Sequence, residues 1–285
     1  MSLLERRQIA GMNSHYRLYS IDDFFSSLRR SHIVSAEIWS AAHHFLLDSA
    51  GYQDTKAFGQ KARGYGVSVV CLCPEQNNPK PHNIAARDPE LIRRTRAYFE
   101  NAIRAAAELE CPRVLVTPGW SFLSEPVEEA WKRSVEMLSH LCGFGQSQGV
   151  RLAMEALQPG ESRLVNTVGH LQAMLGDVGS PQLNVALDLG AMTRMGETIQ
   201  QYFDAFGPRL DHVHFVDCKR EPFVSHLAWG DGDRSLAEDL SVFHTNGYKG
   251  YFSFEFVNGR YFREPWDADA KALSQLSSLM GEGVS

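Results

Sequence analysis

Short runs of apolar, largely β-branched residues alternate along this chain with longer stretches in which apolar positions return every three or four residues. The short runs lie at 9–14 (IAGMNS), 34–39 (VSAEIW), 67–73 (VSVVCLC), 113–119 (RVLVTPG), 150–157 (VRLAMEAL), 183–190 (LNVALDLG), 210–217 (LDHVHFVD) and 251–257 (YFSFEFV). Each has the length of a strand. Near-continuous apolarity, rather than strict alternation, marks parallel strands covered on both faces. The clearest helix begins at Asp88, a good N-cap, with Pro89 in the first turn. Its Leu91, Ile92, Tyr98, Phe99, Ala102, Ile103 and Ala106 recur at helical spacing as one apolar face. A second helix runs through VEEAWKRSVEMLSHLCGFGQSQG and stops at Gly149. Shorter ones are expected around 167–177, 197–206, 235–246 and 267–281, with Gly, Pro and Asn supplying the turns.

Strands alternating with helices over about 250 residues predict an α/β protein of the (β/α)8 TIM barrel class, with residues 1–285 as one domain. The competing open, doubly wound sheet would carry a glycine-rich phosphate loop after a strand, and this chain has none.

Composition narrows the field. A net charge of −6 over 285 residues leaves no basic footprint, so nucleic acid is not an expected partner. The five cysteines are odd in number and sit in apolar stretches. That suits reduced thiols in a cytoplasmic protein better than a disulfide framework. Cys71 and Cys73 stand one residue apart on an expected strand, a spacing that reads as core packing rather than a metal pair. The N-terminus MSLLERRQIA lacks the apolar core of a signal peptide, and no segment has the length and apolarity of a membrane span, so no membrane partner is expected.

The chemistry begins with Glu155, a carboxylate inside the apolar run LAMEALQP. Removing such a group from water costs several kcal/mol unless something pairs with it. Asp188, His214 and Glu255 stand at corresponding places on the three following strands. In a (β/α)8 barrel these strand ends converge on one mouth. Three carboxylates and an imidazole there predict a shared divalent cation, and an oxygen-rich set points to Mn²⁺ first, with Co²⁺, Mg²⁺, Ni²⁺ or Zn²⁺ as alternatives. Each residue also has a plainer reading: Asp188 could cap the following helix, and the glutamates could be rim residues. His212 alternates with His214 and shares its face. Trp120, Phe122, Trp229, Tyr261, Phe262 and Trp266 fall in connections after strands, where they either stack on a sugar or pack internally. Tyr261 to Trp266 are also candidates for a closing lid.

The segments EIWSAAHHF, PHNIAARDPELIRRTRAYFENAI, MEALQP, LDLGAM, HVHFVDCKR, HLAWGDGD and FEF resemble the xylose isomerase-like sugar epimerases, most closely the fructoselysine 3-epimerase branch. D-tagatose and L-ribulose 3-epimerases are cousins. The resemblance implies Glu155, Asp188, His214 and Glu255 as metal ligands, with Glu155 and Glu255 also exchanging the proton. It implies Arg220, six residues after the ligand histidine, and His44 as substrate-binding residues; His212 is placed with them. It further implies a ketose or fructosamine substrate, epimerised through an enediolate, and a homo-oligomer, dimer or tetramer. Tagatose-type members carry a histidine three residues after the ligand aspartate, where this chain has Ala191. The fructoselysine branch lacks it too. An aldose–ketose isomerase would use the same groups. A repair endonuclease of the same superfamily would need more ligands and a basic face.

Overall fold

The apolar runs pair in chain order into a closed parallel barrel. In the computed structural model, which describes residues 2–77 and 80–281, its strands are β1 (Ile9–Met12), β2 (Ser35–Trp39), β3 (Ser68–Cys73), β4 (Arg113–Val116), β5 (Arg151–Glu155), β6 (Leu183–Asp188), β7 (Leu210–His214) and β8 (Tyr251–Phe254). β8 returns to β1, with Phe252 opposite Ile9. Every run expected to be a strand is one. Most stop short of the expected C-terminal end, because the trailing residues leave the ladder and become the loops of the mouth.

The helices are α1 (Ile21–Arg30), α2 (Thr55–Gly64), α3 (Pro89–Glu108), α4 (Val127–Gln148), α5 (Val168–Val178), α6 (Ile199–Phe206), α7 (Leu236–Thr245) and α8 (Pro265–Leu276). Asp88 caps α3 as expected, accepting from the backbone N–H groups of Glu90 and Leu91. Tyr98, Phe99, Ala102, Ile103 and Ala106 are buried, but Leu91, in the first turn of α3, remains 42% exposed. Gly149 ends α4 in the left-handed conformation, at φ 71°. α1 and α2 are not among the expected helices, although Ile21, Phe24, Phe25 and Leu28 recur at helical spacing in α1 and are buried. Both are short, and each is started by a cap: Ser20 with Asp23, and Asp54 on Ala57. A further short helix, Leu189–Arg194, follows β6 directly.

Alternation along each strand divides the core in two. Leu152 and Met154 of β5 face the helices, where they join Ile9, Phe24, Phe99, Leu183, Val213 and Phe252. Ala153 faces inward with Met12, Cys71, Cys73, Leu115 and Ala186. These interior residues are small or slender, which leaves room for polar side chains along the barrel axis. All five cysteines are unpaired and buried. Burial pushes the thiols of Cys71 and Cys73 well above their ordinary range, so they behave as apolar filling. Among the described residues no helix is long and apolar enough to cross a membrane.

At the N-terminal end of the barrel, Arg113 is 5% exposed and donates from Nε to Asp211 at 3.0 Å and from Nη1 to the Val70 carbonyl at 3.2 Å. Arg151 reaches the other Asp211 oxygen at 3.0 Å. Burial alone would raise the Asp211 carboxyl, but Arg113 and Arg151 outweigh it and hold it below the ordinary range. Asp211→Asn strips the buried guanidinium of its counter-charge and is expected to cost about 2–3 kcal/mol at pH 7, toward the lower end for breaking a buried pair because Arg151 is partly solvated. A carboxyl lowered on folding contributes stability above its unfolded value, ~3.9, and loses it as pH falls through the folded one. Urea melts should therefore show the full difference between wild type and variant at pH 7, shrinking below about pH 4.

Candidate functional site

Four strand ends carry four ligand-type side chains to one level. Glu155 closes β5 and pairs with Ala186; Asp188 closes β6 and sits beside His214, the last residue of β7, which is paired in turn with Ser253 of β8. Glu255 lies two residues beyond Ser253 and so points to the same side. His214 Nδ1 is 2.6 Å from Glu155 Oε1 and 3.0 Å from Glu255 Oε2. One ligand atom from each of Glu155, Asp188, His214 and Glu255 falls within 4.8 Å of all the others. Asp188 fulfils both readings of its position. Its Oδ1 caps the short helix, accepting from Gly190 N at 2.5 Å and Ala191 N at 3.2 Å, while Oδ2 faces the site.

Beneath this layer lies a group that the sequence reading passed over. Glu37 of β2 is fully buried and accepts from His212 Nε2 at 2.7 Å and from His214 Nε2 at 3.2 Å. By occupying Nε2 of His214, Glu37 turns Nδ1 toward the mouth. The signal was present in VSAEIW, where a glutamate inside an apolar run raises the same question as Glu155.

With protein groups alone, burial pushes Glu155 up to about 8, and the nearby Glu255 and Asp188 add to it. Burial would also raise Glu255, but His214 and His226 prevail and draw it down to about 2. His214 would be lowered by burial; Glu255, Glu37 and Glu155 together carry it well above the ordinary range. An imidazolium thus provides positive charge among the acids. The single proton on Nδ1 goes to Glu155, so the buried Glu255 Oε2 has no hydrogen-bond partner among the described residues. An orphaned carboxylate oxygen among three further converging donors fits a divalent cation.

The mouth has two lobes. The larger, about 670 Å³, has Glu155, Asp188 and Glu255 on its floor and Gln158, Glu161, Arg194, Phe223 and His226 in its walls. The smaller, about 160 Å³, shares Glu155 and Glu255 and extends to Trp39, Cys73, Gln76 and Thr117.

None of the three residues expected to bind substrate lines the larger lobe. His44 is buried with both nitrogens engaged, Nδ1 accepting from Asn13 at 2.8 Å and Nε2 donating to the Tyr19 carbonyl at 2.8 Å. His212 lies below, on Glu37. Arg220 is exposed and borders an adjoining depression, which shares Arg194 and Phe223 with the larger lobe. The loop aromatics are committed elsewhere: Trp229 is buried and donates to the Phe215 carbonyl, and Trp266 packs edge-on to Tyr19. Phe262 packs against Arg17, and Trp120 and Phe122 meet edge to face. Tyr261 accepts from Ala228 N and donates to Asp231, which ties down the segment read as a lid. The walls instead hold Glu161 and Phe223 from turns, Arg194 from the end of the short helix after β6 and His226 from a short strand, Val224–Leu227, outside the barrel; no periodicity marks them out.

The chain matches the xylose isomerase-like TIM barrel family over residues 34–277. Fructoselysine 3-epimerase of Shigella flexneri is 29% identical over 249 residues, covering 86% of this chain and 88% of that protein. Among solved structures, D-psicose 3-epimerase of Clostridium cellulolyticum H10, determined with D-tagatose, superposes with a TM-score of 0.77 at 17% identity and covers 95% of this chain and 98% of that one. The IolI protein, solved with a zinc atom, does so with a TM-score of 0.77 at 16% identity, over 95% and 98% of the two chains. With the barrel, the ligand cluster and these likenesses in agreement, the chain is an isomerase-type enzyme and belongs to the xylose isomerase-like TIM barrel family.

Proposed function

We propose that this protein is a divalent-metal-dependent sugar 3-epimerase, with Glu155, Asp188, His214 and Glu255 holding the cation and Glu155 and Glu255 exchanging the proton. The observation that carries this reading is that these two glutamates stand on the floor where the two lobes meet, beside the other two ligand-type side chains. Epimerisation next to a carbonyl needs a proton taken from one face of the carbon and another delivered to the opposite face. Two carboxylates on either side of a bound sugar meet that need, each worth ~10²–10⁴ in rate. The cation would supply positive charge for the oxygen that becomes negative during proton removal, and Mn²⁺ suits the oxygen-rich donors. Glu37 keeps His214 in the tautomer a ligand must have. The unpaired, buried cysteines suit a reducing cytoplasm.

The substrate reading is a ketose carrying an amine-linked arm, as in fructoselysine. A cavity of about 670 Å³ exceeds what a hexose fills, and its outer wall offers one charge of each sign. Glu161, whose carboxyl burial raises, can take an ammonium group, and Arg194, lying 4.9 Å over the Phe223 ring, can take a carboxylate. The similarity to fructoselysine 3-epimerase supports the same substrate class.

Turnover in D₂O after reloading with Mn²⁺, read by NMR once the ion is removed, should place deuterium at C3 of fructoselysine together with a new epimer. Label at C1 or C2 with aldose formation would make the enzyme an aldose–ketose isomerase. Glu155→Gln and Glu255→Gln should each lower the exchange rate at least about 10²-fold. Glu37→Gln should weaken Mn²⁺ binding about 10- to 100-fold by titration calorimetry. Arg194→Ala should raise KM for fructoselysine about 10-fold or more, as for the loss of a charged hydrogen bond, while leaving KM for D-fructose within about twofold.

A further inference from the structure

After β7 the chain forms a two-stranded ribbon, Asp217–Lys219 against Val224–Leu227, that leans over the mouth. Its register runs from Leu227 opposite Asp217 to Val224 opposite Lys219, so the returning strand holds one extra residue. This is a β-bulge, a device that re-aims a side chain. Within it His226 adopts φ 56°, a left-handed conformation that costs a non-glycine residue about 1 kcal/mol or more. The result is an imidazole directed into the larger lobe.

The ring is held from behind. Gln158 Nε2 donates to Ser225 Oγ at 3.2 Å, and Ser225 Oγ lies 2.9 Å from His226 Nδ1. Because the serine oxygen accepts from Gln158, its own proton is available to Nδ1 of a neutral ring, and Nε2 carries a proton whether the ring is neutral or charged. Nε2 faces the cavity, 3.4 Å from both Asp188 Oδ2 and Glu255 Oε2. These distances exceed a normal hydrogen bond, and Nε2 has no other partner among the described residues. The ribbon itself is firmly seated. A Cβ at Gly190 would come within 2.9 Å of Ser225 Cβ, so only glycine lets the ribbon approach the short helix there. The buried Asp217 carboxylate gathers the N–H groups of Cys218, Gly230, Gly232 and Arg234 and fixes the loop that follows.

We propose that His226 is a substrate-contacting residue, its Nε2–H presented to a hydroxyl or carbonyl oxygen of a sugar bound over Asp188 and Glu255. The assignment rests on the epimerase reading above and adds to it a donor that neither the motif spacing nor the ligand set contains. A donor fixed before substrate arrives acts on developing oxygen charge without reorganising. The four-residue cation site keeps its own donors, and His226 is the wall facing them.

The test uses the full chain reloaded with Mn²⁺. His226→Ala should lower kcat/KM for fructoselysine about 10²-fold. His226→Gln, which keeps an N–H donor near the same place, should recover at least about tenfold of that loss. Mn²⁺ affinity by calorimetry should stay within about threefold of wild type in both variants, well short of the loss expected for a ligand or its support. An unchanged kcat/KM in His226→Ala would overturn the proposal. So would a loss of Mn²⁺ affinity that accounts for the lost activity, since the imidazole would then serve the ion. A second readout does not depend on turnover: long-range ¹H–¹⁵N spectra of the Mg²⁺-loaded protein, with His226 assigned by its absence in His226→Gln, titrated with D-fructose. The His226 ring signals should shift on saturation. If they stay fixed while other signals move, His226 does not touch the sugar. If they shift but no C3 exchange is found with any ketose, His226 keeps its role and the epimerase reading falls. If no sugar binds, both fall.

Discussion

His214 sits with one ring nitrogen on Glu37 and the other between Glu155 and Glu255. Much of the barrel interior is arranged around keeping that imidazole among acids. Four buried or half-buried carboxylates would repel one another and expel themselves from a dry core. Cationic imidazole and, in our reading, a divalent ion make the assembly affordable in free energy. Glu37 matters here as much as the residues of the mouth. It lies where water cannot reach, so its two imidazole contacts are what permit its charge, and those same contacts determine which nitrogen of His214 is offered upward.

This interior depends on modest side chains elsewhere. Ala153, Ala186, Cys71 and Cys73 fill the barrel axis without crowding it, while the bulk that stabilises the fold lies between strands and helices. A barrel packed with leucine throughout would have no room for Glu37, His212 and His214 along its axis. The N-terminal end is closed by a different polar group, Asp211 with Arg113 and Arg151. The two ends are therefore unequal: one holds its charges in a satisfied cluster, and the other leaves a carboxylate oxygen without a partner among the described residues. That inequality is what separates a stabilising cluster from a reactive one.

Above the floor, the mouth owes its shape to short-range backbone features. The bulged ribbon brings His226 over the acids, and Gly190 lets the ribbon sit close. Opposite charges on Glu161 and Arg194 face the outer cavity. A rigid floor under a wall assembled from loops is how one barrel serves many substrates.

The chain itself determined the strands and most of the helices, because burial on both faces imposes apolar runs that no tertiary detail can disguise. It also marked Glu155, Asp188, His214 and Glu255, since a charge at the end of an apolar run is costly and four in succession need a common explanation. α1 and α2 escaped notice, although α1 carries its own signal: Ile21, Phe24, Phe25 and Leu28 recur at helical spacing and are buried, behind the Ser20 cap. Glu37 carried the same signal as Glu155, but its partners His212 and His214 lie 175 and 177 residues away, and only closure of the barrel joins them. His44 and Arg220 show the converse. The resemblance implied substrate contact for both, yet local packing gave His44 two structural hydrogen bonds, and Arg220 borders the depression that adjoins the larger lobe rather than the lobe itself. His226, Glu161 and Arg194 were decided by tertiary structure alone, because which way a side chain points from a bulged ribbon, a turn or the end of a short helix depends on neighbours that leave no periodic trace in the sequence.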